Sequence, residues 1–542
     1  MDDNNPINLT DKTPESVGDT LANSVMSYRD YPSVVKVKEK TVFTKAEKIL
    51  ALGALVTGYG IVQFALMNTT GFFTTALFLI IISLTIAYLK KTGHSFKTSH
   101  KIWTIVMITF STVFSLTAND MIKTLDLIFL VLAGAYLVYG VCAEKDLFGR
   151  FTPCEILKSS VTDPLRDSVK EYSALASIFK RKNCGAAMRS VLGGIILAVP
   201  LTIVVSVLLV SADQGFENYF VSFFSFLEIF DIMSFSGKLI LSFLVAGYLF
   251  GLFFYHTRAE RMQILDEESC IDSIRKFRIV SNTTVYVAVT PICLLYVLFF
   301  ISQANYFLAA FMNRLPADLS YAEYARRGFF ELFAIELINA GVIFFINFFS
   351  KKTGEEKTFT LSFYSVMISV FTLLITATAI SKMVLYIRNY GLTQLRVYTT
   401  WFMVLTAFSF VYVIIRQFKQ NFAFMRASAI TFTLMFALLC FSRPDAIIAR
   451  YNMEYCSEHL TLHDIIEMND LSSDAAAVIT EDRYKDIIDK KYMDDKYASK
   501  NYVNKGTTGS EYINNRCEQQ LGRSEYNNYN ISALKLKGQI SK

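Results

Sequence analysis

The sequence predicts an all-α integral membrane protein, a bundle of about eleven transmembrane helices followed by a small soluble helical tail. Composition supports this class, since 53% of the 542 residues are hydrophobic and only 18% are charged. So much apolar surface exceeds the need of one soluble core, which excludes an ordinary soluble enzyme. The net charge of +6 is too small and too dispersed for a nucleic-acid-binding protein.

The lengths of the apolar runs support the same class. A helix needs about 17–25 apolar residues to cross the hydrocarbon layer, because its backbone amides must be satisfied within the segment. The runs lie at 49–67, 71–89, 102–118, 124–142, 190–210, 237–255, 283–302, 328–349, 360–380, 398–415 and 427–442. Pro200 and Pro291 interrupt two of them in similar contexts, as in transporters built from repeats. Proline is also common in membrane helices generally.

Basic residues predict the orientation, since positively charged loops are retained in the cytoplasm. With the N-terminus inside, the short inner loops hold fifteen Lys and Arg residues and the outer loops hold seven. We therefore expect a multi-pass protein of the cell membrane with a cytoplasmic N-terminus and an extracytoplasmic C-terminus. Residues 1–44 contain no apolar core, so we expect the first span to act as an uncleaved anchor.

Changes in composition divide the chain into five regions. They are a disordered cytoplasmic arm at 1–44, a four-span scaffold at 45–142, a cytoplasmic amphipathic segment at 143–189, a seven-span core at 190–442 and an extracytoplasmic tail at 443–542. In the amphipathic segment a stripe of apolar residues recurs at intervals of four: Leu157, Val161, Leu165 and Val169. That face suits anionic lipid of the inner leaflet, and it equally suits a solvated helix packed on neighbouring loops.

Polar residues inside the spans are the first functional candidates, because an ionisable group in the bilayer is costly unless it is paired or wetted. The eighth span carries Glu336, with Asn339 three residues on and Asn347 on the same face. These residues predict a proton or cation site, and they equally suit interhelical hydrogen bonds that lock the helix in the bundle. Hydroxyl side chains form a stripe along the ninth span that suits close packing or a water-filled path: Ser362, Ser365, Ser369, Thr372 and Thr376.

Arginine and tyrosine residues gather at the outer ends of spans eight and nine, against the positive-inside trend. We call Arg326, Arg327, Glu331, Arg388, Tyr390 and Arg396 the arginine cluster. Forked guanidinium donors and amphipathic rings suit an anionic lipid headgroup or a small solute. The alternative is that these arginines pair with Glu323 and Glu331 and anchor helix ends at the interface.

Cysteine and histidine residues of the tail offer two alternatives. If the outer side is oxidising, Cys456 and Cys517 form a disulfide that tethers the tail. Cys456, His459 and His463 also share one helix face, but a fourth ligand is missing, so we expect no metal site. The sequence has no phosphate-binding glycine loop, dinucleotide fingerprint, HExxH or GxSxG, so we expect no cofactor.

Five segments together resemble a family of multi-spanning bacterial membrane proteins catalogued as a domain of unknown function. They are 209–213, 321–331, 386–393, 444–452 and 470–475. The resemblance covers most of 190–480 and implies the membrane topology and the outer-face motifs, but no activity. The chain departs from the family at 476–478, where a proline is expected, and in its Asn- and Tyr-rich end.

Three classes of function follow from these patterns. The leading hypothesis is transport or ligand sensing by the core, through Glu336, Asn339 and the arginine cluster. A membrane-embedded transferase acting on a lipid or lipid-linked substrate would need an acid facing an outer cavity: Asp213, Glu331 or Asp445. A non-catalytic accessory or signalling protein would need only docking surfaces. Beyond the lipid bilayer the sequence identifies no partner, and the absence of a catalytic motif argues against an enzyme.

Overall fold

The computed structural model describes residues 42–541, except for 68–69, most of 179–228, 259, 312–328, 352–358, 499–507 and 523–528. Within these residues every regular element is helical, apart from one isolated bridge between Val280 and Ser350. The chain from Lys45 onward forms one compact unit. These observations confirm the predicted all-α class.

The membrane region contains fifteen helices within the described residues. They are α1 (Lys45–Ile61), α2 (Phe72–Lys91), α3 (Thr98–Ser111), α4 (Val113–Leu116), α5 (Asp120–Cys142), α6 (Thr152–Leu157), α7 (Asp163–Asp167), α8 (Lys170–Ile178), α9 (Ile229–Thr257), α10 (Glu267–Phe277), α11 (Asn282–Phe311), α12 (Phe329–Phe349), α13 (Phe359–Tyr390), α14 (Gln394–Phe418) and α15 (Phe424–Phe441). A π-helical turn, Val62–Leu66, extends α1, and another, Lys158–Thr162, joins α6 to α7.

Nine of the described helices are long and apolar enough to cross a membrane, and they coincide with nine of the eleven predicted runs. The predicted run 102–118 differs, because it is divided between α3 and α4 at Thr112 and neither helix is long enough to be counted. The predicted run 190–210, with Pro200, lies outside the described residues, so it cannot be compared with α11, which remains helical through Pro291.

Short polar residues and a glycine define the helix ends that matter for the site. Asn119 caps α5 by accepting a 2.9 Å hydrogen bond from the backbone N–H of Ile122. Thr393 caps α14 in the same way. Gly391 ends α13 in the left-handed conformation, with φ of +74°. The two caps and the glycine turn the chain sharply on one face of the bundle.

Close helix packing in the first half depends on small residues. At Gly58 of α1, a Cβ atom would lie 2.9 Å from the carbonyl oxygen of Ser242 in α9, so α1 and α9 approach closely. Aromatic side chains fill the space between α3, α5 and α15, where the rings of Phe110 and Phe436 stack with centroids 5.5 Å apart. The scaffold helices therefore pack directly against later spans.

The described residues of the tail form six α-helices with their own apolar core. They are α16 (Pro444–Tyr455), α17 (Leu462–Leu471), α18 (Ser473–Ile479), α19 (Lys485–Ala498), α20 (Gly509–Gly522) and α21 (Ile531–Ile540). Buried residues from these helices pack together, among them Ile465, Ala475 and Ile513. The tail also contacts the ends of several membrane helices. We call the face of the bundle where those contacts lie the tail face.

Candidate functional site

Glu336 and Asn339 belong to one buried polar cluster between α11, α12, α13 and α14. The Thr406 hydroxyl donates to Glu336 Oε1, and Thr376 also bonds to this carboxyl group. Asn339 accepts from Tyr296 at 2.5 Å and donates to Thr372 Oγ1 at 2.9 Å. Glu336 is only 1% exposed. The cluster joins four helices through hydrogen bonds, which is the packing alternative of the sequence analysis.

Asn347 does not join this cluster. Its amide donates to the carbonyl of Ile343 in the same helix, and its side chain lines a separate small cavity with Ser362 and Ser365. The hydroxyls of the α13 stripe also bond mainly to their own helix, as Ser369 does to the carbonyl of Ser365 at 2.7 Å. Two members of the stripe also reach the buried cluster, since Thr372 accepts from Asn339 and Thr376 bonds to Glu336, so the stripe packs α13 against α12.

The described part of the arginine cluster does not converge on one point. Arg396 donates to the backbone carbonyls of Tyr390 and Gly391, and its guanidinium lies 4.1 Å from the ring centroid of Tyr386. It therefore closes the end of α13, where four carbonyls lack helical partners. Arg388 is exposed, and its positive charge interacts electrostatically with the phenol of Tyr451.

The remaining members of the cluster are divided between two regions. Glu331 is exposed at the start of α12 and interacts electrostatically with Lys382 of α13. This interaction links α12 to α13 through a lysine, whereas the alternative paired Glu331 with an arginine. Arg326 and Arg327 lie outside the described residues, as do Asp213 and Glu323.

The tail face is organised around Asp445, the second residue of α16. Its carboxylate accepts from Asn119 Nδ2 at 2.8 Å, from Gln394 Nε2 at 2.8 Å and from the Ser472 hydroxyl at 2.7 Å. Burial raises the pKa of this carboxyl above its usual range, although the donors act in the opposite direction. Asp445 thus ties the α4–α5 loop, the start of α14 and the tail together.

A second buried carboxylate, Asp474, connects the same loop to the tail. It accepts from the Thr117 hydroxyl at 2.5 Å and from the backbone N–H of Ala118 at 2.8 Å. On its other side it pairs with Arg443 at 2.9 Å and accepts from the Ser532 hydroxyl. Arg443 itself has a left-handed backbone, with φ of +53°, at the junction between α15 and α16. The ion pair therefore fixes the angle at which the tail leaves the bundle.

Asn452 of α16 holds the loop between α13 and α14. Its Oδ1 accepts from the backbone N–H of Leu392 at 2.7 Å, and its Nδ2 donates to the carbonyl of the same residue at 2.8 Å. A Cβ atom at Gly391 would lie 2.5 Å from Asn452 Oδ1. Glycine is thus required there for both its conformation and its size.

Beside this contact lies an open groove of about 780 Å³, which we call the tail groove. One wall is the loop 389–394, and the other is formed by α16, α17 and the turn between them. Its polar lining comprises Asn389, Tyr390, Thr393, Gln394, Asn452, Cys456, His459, Asp464 and Glu467. Among the described residues, the lining includes two carboxylates and one histidine but neither Lys nor Arg, and Arg396 acts electrostatically on Cys456 of this lining.

The predicted disulfide is wrong, because Cys456 and Cys517 are both free thiols. Cys517 lies in the tail core, where it donates to Asn469 Oδ1 at 3.2 Å and burial raises its pKa to about 11. Cys456 instead lines the tail groove. Among the residues that the structure describes, no three His, Cys, Asp or Glu side chains are placed to hold a metal ion.

Sequence reasoning missed several buried polar residues. Asp126 of α5 is fully buried, and within the described part of the chain neither of its carboxylate oxygens has a hydrogen-bond partner. A single acid within the apolar run 124–142 was the signal for it. Asp474 stands in the motif segment 470–475, and Asn119 directly follows the predicted run 102–118. Asn119 bonds to Asp445 and Asp474 bonds to Thr117, so each contact joins positions more than 300 residues apart, which no local pattern indicates.

The nine apolar helices and their buried polar contacts define a polytopic α-helical membrane protein with a folded helical tail. The chain belongs to the family described as Domain of unknown function (DUF4153), which matches residues 104–481. No curated protein and no solved structure matches the chain. The family match begins in α3 and ends just after α18, so it includes the three donors to Asp445 and all the named partners of Asp474 except Ser532.

Proposed function

We propose that the protein is a ligand sensor of the cell membrane that binds a small polar solute in the tail groove. The tail face would lie outside the cytoplasm and the opposite face inside, as the distribution of Lys and Arg predicts. The observation that carries the proposal is the position of the groove. Its wall is the loop that joins two membrane helices, so an occupant there contacts the tail and the bundle at once.

A route from the groove to the bundle follows from the contacts of this loop. Asn452 holds Leu392 and Asp445 holds Gln394, the first residue of α14. Further along α14, Thr406 bonds to the buried carboxyl group of Glu336 in α12. A ligand that moves the loop therefore acts on a helix that is hydrogen-bonded into the centre of the bundle.

Sensing accounts for the buried cluster better than transport does. Neither Glu336 nor Asn339 lines the tail groove, and both are sealed by hydroxyl and phenol partners. A transported ion would need a polar path to these residues through both leaflets. A transferase receives less support, because Asp445 is fully engaged with three donors and does not line the groove.

The groove lining favours a cationic or neutral polar solute. Asp464 and Glu467 supply negative charge, and the amides of Asn389, Gln394 and Asn452 supply both donors and acceptors. An amine or polyamine matches this set, whereas phosphate would meet two carboxylates. The lining thus argues against the anionic ligand that the arginine cluster suggests.

Cys456 provides a direct test, because this residue lines the groove and is 5% exposed. In a variant that keeps only Cys456, reconstituted in liposomes, we would measure the alkylation rate with a membrane-impermeant maleimide. Spermidine is expected to slow the reaction about threefold at a concentration of twice its Kd, because only the unoccupied third of the protein then reacts. Glucose serves as the neutral probe and inorganic phosphate as the anionic one.

The matched control keeps only Cys517, which is buried in the tail core and does not line the groove. Spermidine should leave its reaction unchanged, since a general effect on the tail would slow both thiols. Equal rates for Cys456 with and without spermidine and glucose would contradict the proposal. If the impermeant maleimide labels Cys456 from the side of the membrane opposite to the N-terminal arm, the proposed orientation is supported. Labelling on the same side as that arm would overturn it.

A further inference from the structure

The segment from α6 to α8 has an inverted distribution of polar and apolar side chains. The stripe at Leu157, Val161, Leu165 and Val169 is between 44% and 70% exposed. The opposite face is at most 8% exposed and carries Glu155, Ser159, Asp163, Asp167 and Glu171, again at intervals of four. We call these two faces the apolar stripe and the acidic stripe.

A π-helical turn keeps both stripes aligned. Residues four apart drift by about 40° per step in an ideal α-helix, so a long stripe at this spacing would wind around the helix. The π-helical turn Lys158–Thr162 rotates less per residue than an α-helix does and offsets part of this drift. The spacing of four and the π-helical turn therefore serve the same arrangement.

The segment runs antiparallel to α9. It starts beside the C-terminal end of α9 and extends toward the middle of that helix. Near the end of α9, Asp163 lies 3.3 Å from His256, and Pro164 approaches Gly251 so closely that a Cβ atom there would collide with it. Farther along, the ring of Tyr172 lies beside Phe243, with centroids 6.2 Å apart. Phe243 is about 21 Å from the end of α9 at Thr257, at 1.5 Å per residue.

This distance sets the depth of the segment. The hydrocarbon layer is about 30 Å thick, and the apolar part of α9, Gly237–Thr257, is long enough to cross it. A segment that follows α9 for about 21 Å reaches beyond the middle of that layer. The sequence pattern alone placed the same segment on the membrane surface or in solvent.

Most of the acidic stripe is paired within the protein. Asp163 lies 2.9 Å from Lys158 as well as near His256, and Asp167 pairs with Arg261 at 3.2 Å and with Lys170. Glu171 differs, because neither of its carboxylate oxygens has a hydrogen-bond partner among the residues that the structure describes. The buried carboxylates thus face the bundle, as charged groups inside a membrane must.

The apolar stripe continues a surface that already faces lipid. Helix α8 packs against α1 as well as α9. On α1, one of the nine apolar spans, Ile49, Leu52 and Val56 are exposed. In water this arrangement would be unfavourable, because four large apolar side chains would be exposed while the carboxylates were buried. Against acyl chains the same arrangement is favourable.

We infer that residues 163–178 are inserted into the hydrocarbon layer beside α9, with Leu165 and Val169 of the apolar stripe against lipid acyl chains. The inference is independent of the proposed ligand. It changes residues 163–178 of the predicted cytoplasmic segment 143–189 into a membrane element whose buried face carries three carboxylates, those of Asp163, Asp167 and Glu171.

Spin labels test this placement in the full chain. Nitroxides would be attached through single cysteines at Leu157, Leu165 and Val169, and the protein reconstituted in phosphatidylcholine and phosphatidylglycerol liposomes. Collision rates with oxygen, which concentrates in lipid, and with a water-soluble nickel chelate would then be compared. We expect oxygen to dominate at Leu165 and Val169, and the depth to increase from Leu157 to Val169.

Two reference positions calibrate the result. Val56, exposed on α1, represents lipid, and Gly149, exposed in the loop before α6 with open space around it, represents water. Nickel access at Val169 equal to that at Gly149 would overturn the inference. Protection from both reagents would overturn it as well, since protein would then cover the stripe. Each variant is compared with the parent by size exclusion, and Val161 replaces any position whose variant fails to fold.

Discussion

Asn119 and Asp445, separated by 326 positions in the chain, meet through a 2.8 Å hydrogen bond on the tail face. The contact joins the cap of α5 to the first turn of α16. Because the same carboxylate also binds Gln394 and Ser472, one buried side chain connects two membrane helices, α5 and α14, with the tail. The stability of this face therefore depends on Asp445 more than on any of its partners.

Replacing Asp445 should strongly destabilise the protein. In Asp445→Ala, three donors lose their acceptor, and we expect the free energy of unfolding to fall by about 3 kcal/mol. Thermal unfolding in detergent, followed by tryptophan fluorescence, measures the change. Asp486→Ala, an exposed acid of the same tail, serves as the control and should change little. Equal unfolding temperatures for the two variants would show that the Asp445 contacts contribute nothing.

The requirement for glycine at 391 can be separated into two parts. Gly93 has φ of +90° and open space around it, whereas Gly391 has φ of +74° and contacts Asn452. Gly93→Ala should cost about 1 kcal/mol, from backbone conformation alone. Gly391→Ala should cost about 3 kcal/mol, because the added methyl group also displaces Asn452. Unfolding measurements on both variants give the difference between the two losses of unfolding free energy. Equal losses would mean that the Asn452 side chain is displaced at no cost in stability.

Glu336 should tolerate loss of its charge but not loss of its volume. In Glu336→Gln the amide oxygen still accepts from Thr406, and a buried carboxylate with no described cationic partner is removed. We expect its unfolding temperature to equal or exceed that of the parent. Glu336→Ala should lose about 3 kcal/mol, from the cavity and the unpaired hydroxyls. If Glu336→Gln were as unstable as Glu336→Ala, the charge itself would be required.

The pH dependence of the tail should reveal the pair between Asp470 and Arg516. Arg516 binds both carboxylate oxygens and lowers the pKa of Asp470 below its ordinary value. A lowered folded pKa stabilises the protein above the unfolded pKa, and that stabilisation is lost as the pH falls through the folded value. Asp470→Asn should therefore be less stable than the parent at pH 7, and the difference should shrink below about pH 4. A difference that stays constant with pH would contradict this assignment, and Arg516→Gln should show the same loss at pH 7.

Local patterns predicted the fold well and the contacts poorly. Apolar runs located nine spans because the bilayer imposes a minimum length on each helix. Glu336 and Asn339 were identified because a polar side chain in the bilayer carries a free-energy cost. Their partners on other helices were not identified, since the spacing of residues along one helix says nothing about its neighbours. Only the structure distinguishes packing from a binding site there.

The errors have equally specific causes. Cys456 and Cys517 were paired because they were the only two thiols of the tail, but one lines the groove and the other lies in the tail core. Arg396 was assigned to a ligand because its backbone carbonyl partners, Tyr390 and Gly391, cannot be read from residue types. Helix caps and turn closures use the same side chains as binding sites, so residue type alone does not separate them.

The contacts of the α4–α5 loop have a consequence for biogenesis. Ribosomes synthesise the chain from the N-terminus, so Thr117, Ala118 and Asn119 enter the membrane long before Asp445 and Asp474 exist. Until both carboxylates have been synthesised, the donors of this loop can bond only to water. The early helices then lack the hydrogen bonds that hold them to the tail. The first half of the protein therefore completes its contacts only after the last quarter of the chain has been synthesised. A chain truncated by early termination lacks these contacts, and quality-control proteases can recognise it.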